Sequence, residues 1–107
     1  MHKGKEFDIA KNVRLVEWLK SEILTSVADL FKMLAGGMKE SQEVITDCLA
    51  SIIVACYLLG RRLGIQFAAV DRKVEAKIRL GIIEEHEVET DFGDLSELSR
   101  HIKESRE

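Results

Sequence analysis

Residues 47–65 read DCLASIIVACYLLGRRLGI, and they decide the fold class of this chain. From Cys48 to Leu59 almost every side chain is apolar, with Ser51 as the clear exception. A surface helix is apolar along one stripe only, so a helix that is apolar nearly all round must be enclosed by partners on several sides. Its roughly dozen apolar residues fall short of the about 20 needed to cross a bilayer. The stretch therefore predicts the central helix of a soluble all-α bundle, with no membrane association.

The composition indicates one helical domain over residues 1–107. Hydrophobic residues make up 46% of the chain and charged residues 33%, a balance typical of folded soluble proteins. The absence of proline, with only one Tyr and one Trp, favours helices over strands and turns. A net charge of -3 gives no general attraction to nucleic acid, so no nucleic-acid partner is expected.

The cysteines and the N-terminus predict a cytoplasmic location. Cys48 and Cys56 lie eight residues apart in one helix, about 12 Å along its axis. Disulfide bonding requires Cα atoms within about 7 Å, so we expect two free thiols in a reducing compartment. Residues 1–12 lack the apolar core of a signal peptide.

Three main helices follow from the periodicity. The first has Asp8 as its N-cap and begins near Ile9, with apolar residues recurring every three or four positions as far as Leu34. It is either one long helix or two that meet near Lys20–Ser21, and Gly36–Gly37 ends it. After a short connection at 38–41, an antiparallel second helix begins at Ser41 or Gln42, ends at Leu63 and is closed by Gly64. The third spans Gln66–Leu80 and is closed by Gly81.

The remaining residues, 82–107, form an acidic extension of the helical core at about 9–81. Residues 82–92 have no clear period and are expected to be mostly loop. Asp94 followed by Glu97 is a capping-box pattern that opens a short final helix, Leu95 to about Lys103. The predicted fold is thus a bundle of three main helices and a short C-terminal one.

Two helical faces carry candidate metal ligands. Glu22, Ser26 and Asp29 follow an i, i+4, i+7 spacing and share one face, and carboxylates on such a face suit Mg²⁺. On spacing alone, a solvated face with two scattered acids explains them better. Asp47 lies one turn before Ser51 and near the start of its helix, where the helix dipole alone accounts for a carboxylate.

A family resemblance rests on three segments: residues 24–34 (LTSVADLFKML), residues 47–65 and the lysine-containing helix at 66–81. Together they resemble the MazG-type all-α nucleoside triphosphate pyrophosphohydrolases, in particular the small MazG-like branch. The resemblance implies a Mg²⁺-dependent cleavage of NTP to NMP and pyrophosphate. It also implies a four-helix core completed by dimerisation, hence a homodimer or a higher oligomer.

The family's metal-binding signature is largely missing from this chain. Its EExxE falls on residues 25–29 and its ExxD on residues 48–51, and only Asp29 keeps a carboxylate. Ser26, Cys48 and Ser51 stand where the family has acids. A thiol is a soft ligand and a hydroxyl a weak one for Mg²⁺, so we expect the standard site to be lost. Glu22, Asp29 and Asp47 are the acids left for a rearranged site.

Two further features have a functional and a plain interpretation. Lys73 and Lys77 share a face of the third helix, and the resemblance makes them phosphate-binding candidates, although solubility and pairing with Asp71 and Glu75 explain them as well. His86 stands among four glutamates, a weak transition-metal pattern. Trp18 is interpreted as a core or interface anchor rather than as a platform for stacking bases.

Three functions stay open from the sequence. The first is a MazG-like module that lacks the magnesium site and binds a nucleotide or a protein. The second is an active pyrophosphohydrolase with a rearranged carboxylate site, so whether the chain is an enzyme is left open. The third is a structural or regulatory interaction protein that docks through its acidic C-terminal tail.

Overall fold

The structure, a computed structural model, describes residues 2–36 and 42–105. These residues form five α-helices and no strand: α1 His2–Ala35, α2 Gln42–Arg62, α3 Phe67–Ile83, α4 Glu87–Phe92 and α5 Asp94–Ser105. The predicted all-α fold class is confirmed. The chain divides into two compact units, Met1–Phe67 and Ala68–Glu107. The predicted connection at 38–41 lies outside the described residues.

Helix α1 is one continuous helix and begins earlier than expected. It starts at His2, so Asp8 lies within the helix and is not its N-cap. Residues such as Lys3, Lys5 and Glu6 are good helix formers, and nothing before Ile9 forces a break. The helix runs through Lys20–Ser21 and ends at Ala35, next to Gly36 as predicted.

Helices α1 and α2 are antiparallel, and two polar contacts fix their register. The Asn12 amide donates to the Arg62 carbonyl oxygen (3.0 Å), and the Arg62 guanidinium donates to the Asn12 side-chain oxygen (3.2 Å). The Cys48 thiol donates to the Ser26 carbonyl oxygen (3.2 Å). Going from Asn12 to Ser26 advances 14 residues, and going from Arg62 back to Cys48 also covers 14. The two helices therefore keep one register along their line of contact, which runs from Asn12 and Arg62 to Ser26 and Cys48 and is called the seam below.

Few side chains are buried inside this hairpin. Leu19 and Ala55, halfway between the two polar contacts, are 3% and 5% exposed, and Leu30 is also buried. On α2 itself only Ala55 and Gly60 are buried. The expectation that the apolar helix is enclosed on several sides is therefore not met within one chain.

Helix α2 also passes the length and composition test for a membrane-spanning helix. The whole of Gln42–Arg62 is helical, so the helix has 21 residues rather than about a dozen with which to cross a bilayer. The core helix of a soluble protein passes the same test when it is mostly buried, whereas only 6% of the apolar window of α2 is buried within this chain. The absence of a membrane span stays a prediction.

The end of α2 is the glycine-dependent stop that the sequence predicted. Gly64 has φ +88°, its N–H donates to the Arg61 carbonyl, and the Ile65 N–H donates to the Gly60 carbonyl (2.8 Å). This pair of bonds is a Schellman motif, in which glycine takes the left-handed position without strain. Close by, the Phe67 ring meets Tyr57 edge-to-face and lies 4.9 Å from the Arg61 guanidinium carbon.

The end of α3 differs from the prediction, because Gly81 does not close it. The helix continues to Ile83 and ends in a second Schellman motif, with His86 N–H on the Gly81 carbonyl and Glu85 at φ +55°. Gly81 instead allows a close approach, since a Cβ there would lie 2.7 Å from the Leu95 side chain of α5. Together with the buried Ile78, this contact positions the helices of the second unit.

Residues 87–92 form helix α4, although they were expected to be loop. The His86 ring nitrogen Nδ1 accepts the Val88 N–H (3.1 Å) and so caps the start of this helix. Gly93, at φ +69°, ends it and leads directly into α5. Helix α5 at Asp94–Ser105 confirms the predicted C-terminal helix and extends it by one residue at its start and by two at its end.

Candidate functional site

The two segments that the resemblance aligns with the family's motifs, residues 25–29 and 48–51, face each other across the α1–α2 seam. The register brings Ser26 opposite Cys48, and the thiol donates to the Ser26 carbonyl oxygen. Both residues are half-buried. Two positions where the resembled enzymes carry acids are therefore in contact here, and they are joined by a neutral hydrogen bond.

This neutral contact is poorly suited to Mg²⁺. A magnesium ion at a polyphosphate requires carboxylate charge close to it. The Cys48 thiol is already used as a donor to the Ser26 carbonyl, and Ser51 is exposed one turn further along α2. Ser26, Cys48 and Ser51 thus do not fit the Mg²⁺ that the resemblance implies.

The three remaining acids lie around this contact without forming a ligand cluster. Glu22 is half-buried, while Asp29 and Asp47 are exposed. Among residues 2–36 and 42–105, no group of three or more His, Cys, Asp or Glu side chains is close enough to hold a metal ion. A site that used Glu22, Asp29 and Asp47 would therefore need further ligands from outside these residues, and it stays a prediction.

Beside the neutral contact, a groove of about 290 Å³ opens between α1 and α2. Its floor contains the buried Leu19 and Ala55, and its walls contain Trp18, which is 55% exposed. Two polar side chains line it, Glu22 from α1 and Ser51 from α2. The described residues that line it are Trp18, Leu19, Glu22, Ala50, Ser51, Val54, Ala55 and Leu58.

Trp18 was interpreted as a core or interface anchor, and its exposure of 55% shows that it is not a core residue of this chain, while a role at an interface stays a prediction. Sequence reasoning missed the groove because it depends on the register of two helices, which periodicity within one helix does not give. The only sequence signal was the fact that Trp18 and Glu22 lie four residues apart and so share a face of α1.

The predicted phosphate-binding lysines lie on the second unit. Lys73 and Lys77 are exposed on α3. Neither forms an ion pair with another described residue, in contrast to the exposed Lys20–Glu17 pair of α1 (3.1 Å). Both interpretations of the two lysines, as a solvated pair and as phosphate-binding residues, stay predictions.

The acidic tail has a structural arrangement that the sequence did not suggest. The Glu89 carboxylate accepts the Ser96 N–H through Oε1 (3.0 Å) and the Ser96 hydroxyl through Oε2. It thereby caps the start of α5 from α4, in place of the capping box expected from Asp94 and Glu97. The Ser96 hydroxyl, followed by its backbone N–H, lowers the pKa of Glu89 below its ordinary value. The Nδ1 atom of His86, which the sequence offered as a weak metal ligand, accepts the Val88 N–H in the cap of α4.

Comparison with known proteins gives one result. No curated protein and no solved structure matches the chain. The sequence model of the MazG-like family matches residues 9–95, which include both signature segments, the groove and the Glu89 carboxylate. Because the match spans well over half of the 107 residues, the chain belongs to the MazG-like family.

Proposed function

We propose that this protein is a MazG-like module that has lost the standard magnesium site and acts by binding a nucleotide. The observation that carries this proposal is the hydrogen bond from Cys48 to Ser26, which occupies the seam where a metal-dependent member would present carboxylates. Without charge at that point, neither Mg²⁺ nor a metal-bound triphosphate is held for hydrolysis. A MazG-like fold that keeps its nucleotide site but lacks the magnesium site is suited to sensing or sequestering nucleotides.

The first test is a magnesium titration by calorimetry with a panel of NTPs as substrates. We expect no stoichiometric Mg²⁺ binding at sub-millimolar concentration and no release of NMP and pyrophosphate. Turnover that Asp29→Asn abolishes would overturn the proposal and would favour the rearranged site of Glu22, Asp29 and Asp47.

A matched gain-of-function variant sharpens this test. Ser26→Glu, Cys48→Glu and Ser51→Asp together restore the family's acids at three signature positions of the seam. We expect this triple variant to gain Mg²⁺ affinity, with circular dichroism as the check that it folds. A folded triple variant with no more affinity than the wild type would mean that the missing acids are not what separates this chain from the enzymes.

We further propose that a second copy covers one flank of the α1–α2 hairpin. Two residues along a helix turn through about 200°, so Leu24 and Ile53 lie on the flank opposite Glu22 and Ser51. Leu24 is 72% exposed and Phe31 is 62% exposed. We name this flank the apolar flank, defined by Ile9, Val13, Leu24, Phe31 and Leu34 of α1 and by Leu49 and Ile53 of α2, all of them exposed.

Seven exposed apolar side chains along one flank of two helices are typical of an interface. A stable interface buries about 800 Å² per partner, which a flank along two helices can supply. We expect a homodimer or higher oligomer by light scattering at micromolar concentration. Leu24→Glu with Ile53→Glu should give monomers, whereas Thr25→Glu, at an exposed neighbour outside the flank, should not. A monomeric wild type contradicts the interface.

A cytoplasmic location follows from the same proposal, since free nucleotides are found there. The exposed free Cys56 agrees with a reducing compartment.

A further inference from the structure

We propose that the groove beside the seam binds the guanine ring of a nucleoside or nucleotide, with Trp18 as the stacking surface and Glu22 as the group that recognises the base. This inference rests on the proposed nucleotide-binding function and names the base. It places the ligand on the flank opposite the apolar flank, so that the second copy and the ligand do not compete.

The size and the lining of the groove suit a single flat ring. Its volume of about 290 Å³ lies just below the about 300–1,000 Å³ of typical small-molecule sites, which are mostly apolar with a few polar groups. The indole of Trp18 and the side chains of Val54 and Leu58 form apolar walls over the buried floor. Stacking of a base on an aromatic side chain contributes about 1–3 kcal/mol in other proteins and accepts any base, so it supplies affinity without selectivity.

Selectivity comes from the carboxylate. An ionised Glu22 has only acceptor oxygens, and these pair best with two parallel N–H donors. Guanine presents two adjacent donors, N1–H and the 2-amino group. Adenine and cytosine have a ring nitrogen acceptor next to their amino group, and uracil has a carbonyl on each side of its single N–H. In each of these bases an acceptor would face a carboxylate oxygen, and the two would repel each other. The Ser51 hydroxyl on the facing helix can donate to a guanine acceptor.

Charge indicates that the base, and not the phosphate, is what the groove recognises. Among the described residues that line it, Glu22 is the only charged one, and none is Lys or Arg. Asp29, which shares its helical face with Glu22, adds negative charge nearby. A phosphate chain therefore gains nothing in the groove, and guanosine should bind at least as well as GTP in the absence of a metal.

The single tryptophan of the chain makes a direct test available. Guanosine, GMP and GTP, with adenosine and cytidine for comparison, are titrated into the full-length protein in metal-free buffer while Trp18 fluorescence is followed. We expect saturable quenching by guanosine, with adenosine and cytidine at least about tenfold weaker. Glu22→Gln should weaken guanosine by about tenfold or more, since it removes a charge-assisted pair. The matched control Glu43→Gln, at an exposed carboxylate of α2 that does not line the groove, should leave the affinity unchanged.

The outcomes separate this inference from the function on which it rests. Quenching by guanosine that survives Glu22→Gln, or adenosine that binds as well as guanosine, overturns the assignment of the base. If calorimetry detects a nucleotide that leaves Trp18 fluorescence unchanged, nucleotide binding stands and the groove is the wrong site. If neither method detects any nucleoside or nucleotide, both the inference and the proposed function fail.

Discussion

The two units of this protein differ in how their helices are held together. In Met1–Phe67, two long helices share a seam whose centre is apolar, and polar contacts lie on either side of Leu19 and Ala55. In Ala68–Glu107, Gly81 of α3 lies close to Leu95, and polar caps also join the short helices α4 and α5 end to end. Long helices can rely on distributed packing, whereas a six-residue helix such as α4 forms too few backbone bonds to persist without its caps. The comparison predicts that apolar truncations weaken the first unit and that changes in caps or pH weaken the second.

The largest expected effect is at the seam. Leu19→Ala removes the most buried large side chain of α1 and should lower the free energy of unfolding by about 2–4 kcal/mol. The matched control is Leu80→Ala on α3, where the side chain is 53% exposed and its loss should cost well under about 1 kcal/mol. Urea unfolding measures both. Equal losses would mean that the seam does not dominate stability.

The next effect compares two glycines at helix ends. Gly64→Ala forces a side chain into φ +88° with no atom within 4 Å of the new Cβ, so the cost is purely conformational, about 1–2 kcal/mol. Gly36→Ala, whose Cβ would only approach the Lys32 carbonyl at 3.4 Å, should be far milder. If the melting temperatures of the two variants fall equally, the Schellman motif at Gly64 contributes no special stability.

The second unit offers the reverse experiment at its own Schellman motif. Glu85 adopts φ +55°, a conformation that costs a residue with a Cβ about 1–2 kcal/mol, while glycine there loses about 0.5–1 kcal/mol of chain entropy. Glu85→Gly should therefore stabilise the protein by about 0.5–1 kcal/mol. Glu84→Gly, one residue earlier, serves as the control and should not stabilise. A loss of stability in Glu85→Gly would contradict the left-handed conformation.

The smallest effect is the pH dependence of the Glu89 cap. Because the Ser96 hydroxyl lowers the pKa of Glu89 in the folded state, this carboxylate adds stability above its unfolded-state pKa. That contribution is lost as the pH falls through the lower, folded value. Comparing Glu89→Gln with the wild type by thermal unfolding between pH 3 and about pH 7 should give a smaller difference at the acidic end. Ser96→Ala should behave like Glu89→Gln, and a pH-independent difference would contradict the cap.

The sequence predicted the features that a single helix encodes. Apolar periodicity located α1 and α2, and Gly64 marked the end of α2 because glycine is the usual residue at a left-handed position. The same rule failed at α3, since Glu85 takes that position without the glycine signal and Gly81 serves close packing instead. Helix α4 was missed because its caps come from His86 and Gly93, and not from an apolar stripe.

The candidate site was predictable only in part. Family resemblance named Ser26 and Cys48, but the contact between them depends on how α1 and α2 align, which no local pattern gives. The same alignment creates the groove between Trp18 and Ser51. Residues that share one face of a helix can be identified from their spacing in the sequence. Residues of two helices that contact each other can be identified only once the register between the helices is known.

The constant register of the hairpin has a consequence for how this family can change length. Asn12, Leu19 and Ser26 are seven residues apart, and so are Arg62, Ala55 and Cys48 on the facing helix. This is a heptad spacing. Inserting one residue into either helix would turn everything beyond it by about 100°. Relatives with longer hairpins should therefore have gained whole heptads, one in each helix, so that the facing residues stay in register.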